Sequence, residues 1–343
     1  MMNKFGKQLG KFLEFHNISN REFADRICTT PKNLIDIIKG NIEISQNMIY
    51  NISFVTGIPV SYIENVESTF KMDKVIDEYL GKNKLTIREF INKFNYKEFS
   101  KEYNYQFTDV RDDYYIAKDI LKYLRMASPE SLYKEDSSIF YKSKNDKPEL
   151  LALWLERCYR VILTQKVGEY KKGNIDTLVT FIREQARRNI FDKDILIKVF
   201  NENGIFLAIE NDLKGAKIRG AFKVLNNKPA IYITKKHKRY ADIYFALLHE
   251  LAHCKSDFNR AKNGSIVSLQ DDKDESDYEI RADKTAYNWM VCDELYEKIK
   301  NDYKNMDNYD VVKSFFVYRL AKDGILSYSS KMYQENNKLI ECK

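Results

Sequence analysis

The 343-residue sequence predicts a mainly α-helical chain with one small antiparallel β-sheet, an α+β protein. Three observations carry that expectation. Only 5 Pro and 12 Gly interrupt the chain, while Leu, Ile, Lys and Glu abound, so helices meet few breakers. Long stretches before residue 200, such as DEYLGKNKLTIREFINKF, DYYIAKDILKYLRM and LLALWLERCYRVIL, read as helical patterns. From about residue 204 the texture changes to short runs rich in β-branched and aromatic residues, GIFLAIE, AKIRGAFKVL and PAIYIT. The turn-forming NDLKG and NNKP separate them.

Length and composition narrow the class further. At about 100–200 residues per domain the chain should hold two or three domains, each able to bury a core. The apolar share of 44% and charged share of 31% fit a globular protein and argue against a disordered one. No run approaches the roughly 18 apolar residues that span a bilayer, so no membrane partner is expected. The N-terminal MMNKFGKQLGKF has no apolar secretory core, which points to the cytoplasm. Five cysteines (28, 158, 254, 292 and 342) form no CxxC pair, so neither a disulfide framework nor a cysteine zinc site is expected. The net charge of +7 permits contact with nucleic acid without arguing for it.

The elements follow in order. Residues 1–70 hold several short amphipathic helices joined by small turns. Residues 71–176 form a helical middle region whose pattern stops at Ser128-Pro129 and at the SKNDKP loop. Residues 177–343 carry the small sheet and a helix from about Tyr240 to Ser256. They continue with the acidic loop QDDKDESD, a helix from near Tyr278, and a last helix in VVKSFFVYRLAKDG.

Within the first region, ISNREFADRICTTPKNLIDIIKGN (18–41) encodes two helices and a tight turn. Ser19 can cap the first, whose inner face is Phe23, Ala24 and Ile27; the small Ala24 permits a close crossing. Thr30 caps the second, Pro31 sits in its first turn where no N–H is needed, and Gly40 ends it. Leu34, Ile37 and Ile38 face inward, leaving Lys32, Asn33, Asp36 and Lys39 outside. A support helix, a turn and an exposed polar helix is the geometry that enters a DNA major groove. The segment resembles the Cro/XRE-type helix-turn-helix over about residues 4–66, and that resemblance implies a five-helix domain. It places Thr30, Pro31, Lys32, Asn33 and Asp36 on the helix presented to an operator of double-stranded DNA, and Asn20 and Arg21 at backbone phosphates. Seven Lys and Arg balance seven Asp and Glu over residues 1–70, so a homodimer through this region is expected to reinforce binding.

The second motif is His249-Glu250-Leu251-Ala252-His253. Two histidines four apart on a helix project from one face and can share a metal. Glu250 flanks them, where a carboxylate can take a proton from water. With four His in the chain, the chance expectation for HExxH is on the order of 0.003, low enough to treat it as a signal. A third ligand must come from elsewhere. The acidic loop offers Asp271, Asp272, Asp274, Glu275 and Asp277, but a solvated loop fixes geometry poorly. Glu279 is better placed, in a helix whose Ile280, Ala282, Ala286, Trp289 and Met290 read as buried. Asp283, one turn on, can accept the second N–H of a metal-bound histidine. His237 in KKHKRY reads as a solvated loop residue, and Cys254 as a small buried one. PAIYIT (229–234) is the candidate edge strand for an extended substrate.

HELAH followed by Glu279-x-x-Ala282-Asp283-x-x-Ala286 resembles the ImmA/IrrE metallo-endopeptidases, zincin-like enzymes often fused to a helix-turn-helix. The resemblance covers about residues 177–325, with Thr285 standing where members often carry Phe. It implies Zn²⁺ held by His249, His253 and Glu279, and Glu250 as general base. It further implies a DNA-binding regulator of a mobile-element, stress or toxin–antitoxin locus that cleaves a repressor or toxin. The rival expectation is a repressor or antitoxin whose zinc domain senses or docks without cleaving. A third is a peptidase whose helix-turn-helix only dimerises.

Overall fold

The computed structural model describes residues 4–133, 147–269 and 276–340. The chain divides into two compact units, Met1–Phe90 with Arg111–Lys118, and Ile91–Val110 with Asp119–Lys343. Among the described residues no helix is long and apolar enough to cross a membrane.

The first unit opens with α1 (Lys4–Phe15), α2 (Asn20–Arg26), α3 (Pro31–Lys39), α4 (Gln46–Thr56) and α5 (Val60–Asn83). Their boundaries follow local chemistry. Ser19, Thr30 and Ser45 each accept the backbone N–H three residues on, satisfying a donor that the helix leaves open. Gly40 and Gly57 end α3 and α4 in the left-handed conformation. Phe23, Ala24, Ile27, Leu34 and Ile37 enter one buried cluster with Phe5, Leu9 and Leu13 of α1. Gly6 is what lets α1 approach, because a Cβ there would lie 2.5 Å from the Ile38 carbonyl oxygen. Lys84 adopts a positive φ after α5, so the pattern read as continuous over 77–94 breaks there. It resumes as α6 (Ile87–Lys93), which runs across the boundary between the units.

The second unit adds α7 (Tyr96–Glu102), α8 (Asp113–Tyr123, also crossing the boundary), α9 (Pro148–Ile162), α10 (Asn174–Arg188) and α11 (Lys193–Glu202). Strands β1 (Phe206–Glu210), β2 (Ile218–Leu225) and β3 (Lys228–Thr234) follow, then α12 (Tyr240–Ser256) and β4 (Ile266–Leu269). It closes with α13 (Asp277–Met290), α14 (Asp293–Ile299), α15 (Lys313–Lys322) and α16 (Lys331–Asn336).

The α+β class holds, but the sheet is mixed rather than antiparallel. Its order is β1-β3-β2-β4, with β1 parallel to β3 and the other pairs antiparallel. Asn226 and Asn227, both at positive φ, close a tight β2–β3 hairpin. The longer NDLKG connection instead carries β2 past β3, so β1 and β3 become neighbours running the same way. β3 is therefore interior, and PAIYIT has no free edge; β4 is an outer strand, and no apolar run in the sequence marked it. Ile231 and Ile233 pack with α12, whereas Tyr232 meets Trp154 of α9 edge to face, so helices cover both faces of the sheet. α12 lies on β2 and β3 and is buried on almost every side, from Tyr240 through Cys254, with Asp242 the partly exposed exception.

Candidate metal centre

α12 supplies the first two donors. His249 and His253, one turn apart, are both fully buried, and their Nε2 atoms lie 3.1 Å from each other. The third comes from the first turn of α13. Glu279 Oε2 lies 3.1 Å from His249 Nε2, and its Oε1 lies 3.3 Å from His253 Nε2. One donor atom from each of the three falls within 4.8 Å of the others. The buried stripe of α13 runs through Glu279, Ala282, Ala286 and Met290. Ile280, expected inside, is 48% exposed because it falls one residue off that stripe. Of the loop carboxylates, Asp271, Asp272, Asp274 and Glu275 lie outside the described residues, while Asp277 is exposed.

The outer ring nitrogens are held by carboxylates. Asp283 Oδ1 lies 2.7 Å from His249 Nδ1, and Asp257 Oδ2 lies 2.9 Å from His253 Nδ1. Each carboxylate can accept an Nδ1–H, which leaves each Nε2 at the common point, where a neutral ring would offer its lone pair to a metal. Both carboxylates are themselves paired. Arg219 reaches Asp283 at 3.4 Å, and Arg281 binds Asp257. Arg219 can do so because it is the extra residue of a bulge, two β2 residues facing one of β4 between Ile218 and Gly220.

Burial works against charged imidazoles, but the carboxylates prevail. Hydrogen bonds donated to Asp257 and Glu279 push His253 up to about 9, and those donated to Asp283 and Glu279 push His249 up as well. The same contacts hold Glu279 well below the usual carboxylate range, despite its burial. This is a pocket that favours positive charge at its centre.

Glu250 has a different environment. Its side chain is fully buried, and neither oxygen has a hydrogen bond of ordinary geometry. Burial pushes its pKa up; the nearby imidazoles and, less strongly, the Ser268 hydroxyl oppose this. Gly220 makes room for it, since a Cβ there would lie 2.5 Å from Glu250 Oε1. Ser268 of β4 pairs with Gly220, is buried, and puts its Oγ 3.1 Å from His249 Nε2.

Two nitrogens, a carboxylate and a favourable field for cations are a donor set that suits a divalent metal such as zinc. The orphaned Glu250 carboxylate beside it fits a group whose partner arrives with that metal. Sequence reasoning missed Asp257, Arg281, Arg219, Gly220 and Ser268. Only Asp257 carried a signal, four residues after His253 on the same helical face. His237 also differs from expectation. Its Nε2 is buried without a partner, and burial with the Arg219 charge pushes its pKa down to about 4.

The residues expected to contact DNA belong to α2 and α3 of the first unit. Asn20, Arg21, Thr30, Pro31 and Lys32 are exposed at the N-terminal ends of α2 and α3. Asn33 is half-buried and donates to Thr29 at 2.8 Å, and Asp36 accepts from Asn41 at 3.0 Å, so both are engaged within their own turns.

Comparison of the chain with models of protein families, with curated proteins and with solved structures returned no match.

Proposed function

We propose that the protein is a zinc-dependent endopeptidase fused to a DNA-binding regulator, resembling the ImmA/IrrE enzymes. The observation that carries this reading is the convergence of His249, His253 and Glu279 beside a buried, unpartnered Glu250. Zn²⁺ bound there would supply Lewis-acid polarisation of a peptide carbonyl and an acidified water. Asp283 and Asp257 fix the two rings. Glu250, with its affinity for protons raised by burial, takes a proton at its carboxylate and returns it to the leaving amine. Outer strand β4, which carries Ser268 at the site, is the place where an extended peptide would pair. The exposed ends of α2 and α3 support contact with a DNA operator, with a homodimer supplying the affinity that a neutral domain lacks. Control of a mobile-element, stress or toxin–antitoxin locus in the cytoplasm, through cleavage of a repressor or toxin, completes the reading.

The complete burial of both imidazoles and Glu250 favours one alternative, a repressor or antitoxin whose metal site senses or docks without cleaving. Glu250→Gln separates the two. The zinc-loaded chain should cut members of a peptide library read by mass spectrometry. The variant should bind zinc equally and lose roughly 10²–10⁴-fold in rate. Retained cleavage by Glu250→Gln contradicts the mechanism, and zinc-loaded wild type that cuts nothing favours the alternative.

A further inference from the structure

Three donors leave one vertex of a tetrahedral site open. Ser268 is 2% exposed, and its Oγ lies at hydrogen-bonding distance, 3.1 Å, from His249 Nε2. That nitrogen is the one aimed at the metal position, because Asp283 occupies the other. The hydroxyl thus sits against the nitrogen whose lone pair a cation would take. Once the lone pair is taken, the hydroxyl needs a new acceptor in a pocket with no bulk solvent.

Strand pairing decides what lies within reach. Ser268 stands opposite Gly220, and Gly220 lies directly against the Glu250 carboxylate. The β2–β4 pair thus puts one hydroxyl and one bare backbone face beneath His249 and Glu250. The preceding bulge residue, Arg219, turns to Asp283 instead. A purely structural serine would be satisfied by its own strand or by a backbone carbonyl. The contacts found for this hydroxyl are to the metal-facing nitrogen and, more weakly, to the Glu250 carboxylate.

We propose that Ser268 is a further residue of the site, its hydroxyl held beside His249 Nε2 and the Glu250 carboxylate, where it would hydrogen-bond the non-protein ligand of a bound metal. This rests on the metal-binding reading above and adds to it the part of the site that orients that ligand. The hydroxyl is not itself one of the metal's ligands, because a neutral serine alcohol is a far poorer zinc donor than imidazole or carboxylate.

The test uses the full chain, with Co²⁺ and Zn²⁺ as probes. Ser268→Cys places a thiolate where the hydroxyl points. It should show a thiolate-to-cobalt charge-transfer band and bind Zn²⁺ at least tenfold more tightly than wild type in competition with a chelator. Ser268→Ala should bind Zn²⁺ within threefold of wild type, yet cleave library peptides with kcat lowered about tenfold at unchanged KM. Absence of the charge-transfer band in a cobalt-loaded Ser268→Cys protein overturns the proposal, as does an unchanged kcat in Ser268→Ala. A loss of Zn²⁺ affinity beyond tenfold in Ser268→Ala also overturns it, by making the hydroxyl a ligand. Wild type that binds neither metal overturns the metal-binding reading itself, a result distinct from these.

Discussion

The α1–α5 region and the candidate metal centre are built by opposite strategies. In α2 and α3 the decisive bonds span three residues, from Ser19 to Glu22 and from Thr30 to Asn33. At the metal centre they span 19 residues to Ser268, 30 to Glu279 and 34 to Asp283. In the first region each of these helix starts is therefore set by its own neighbouring residues. The second depends on α13 and the sheet arriving in register, and a fault far from the histidines would be felt at their nitrogens. Local rules specify a scaffold, whereas a site of chemistry is specified by packing.

Substitutions at three positions sharpen that contrast. The largest effect is expected from a carboxylate that long-range packing has half-buried on α12. Burial raises the Asp242 pKa from 3.8 to about 6, against the opposing pull of Lys322 and Arg239. The folded value exceeds the unfolded one, so protonation of Asp242 supports folding fully below about pH 4. That support is lost as pH rises through about 6. Asp242→Asn should match wild type in urea unfolding at pH 4 and exceed it by about 2–3 kcal/mol at pH 7. A difference independent of pH would break the assignment.

Next comes the ring of carboxylates around the histidines. Asp283→Ala removes the acceptor at His249 Nδ1 and should weaken zinc binding by about 10–100-fold, measured against a chelator. Asp283→Asn should recover part of that loss, since its amide oxygen can accept the same N–H. Equal affinities in all three proteins would show that packing alone holds the ring.

The smallest effect belongs to the local strategy. Thr30→Ala removes one cap and should lower the opening free energy of α3 by about 1 kcal/mol, read by hydrogen exchange at Leu34 and Ile37. Protection at the metal centre should not change. Loss of protection in both places would mean that the two regions are not independent.

The same contrast explains what was legible in the sequence. Caps at Ser19 and Thr30, the proline of α3 and the stop at Gly40 are short-range rules, and the helices follow them. His249 and His253 were legible because one helix turn fixes their spacing. Glu279 could be placed on a helix, but its approach to the histidines needed the fold. The mixed sheet was not legible because the turn residues of NDLKG do not say whether the next strand lies alongside or beyond its neighbour. Asp257 shares the turn after His253 and could have been found, whereas Arg219 acts through a bulge that no spacing announces. Gly220 matters for a missing Cβ, visible only once Glu250 stands against it.

The central claim is that one cation is shared by α12 and α13, and metal content measures it most directly. Purified wild type, dialysed against dilute Zn²⁺, should retain one zinc per chain, while Glu279→Ala, folded by circular dichroism, should retain little or none. Wild type that holds no zinc, or a folded Glu279→Ala chain that holds it as tightly, would contradict the account.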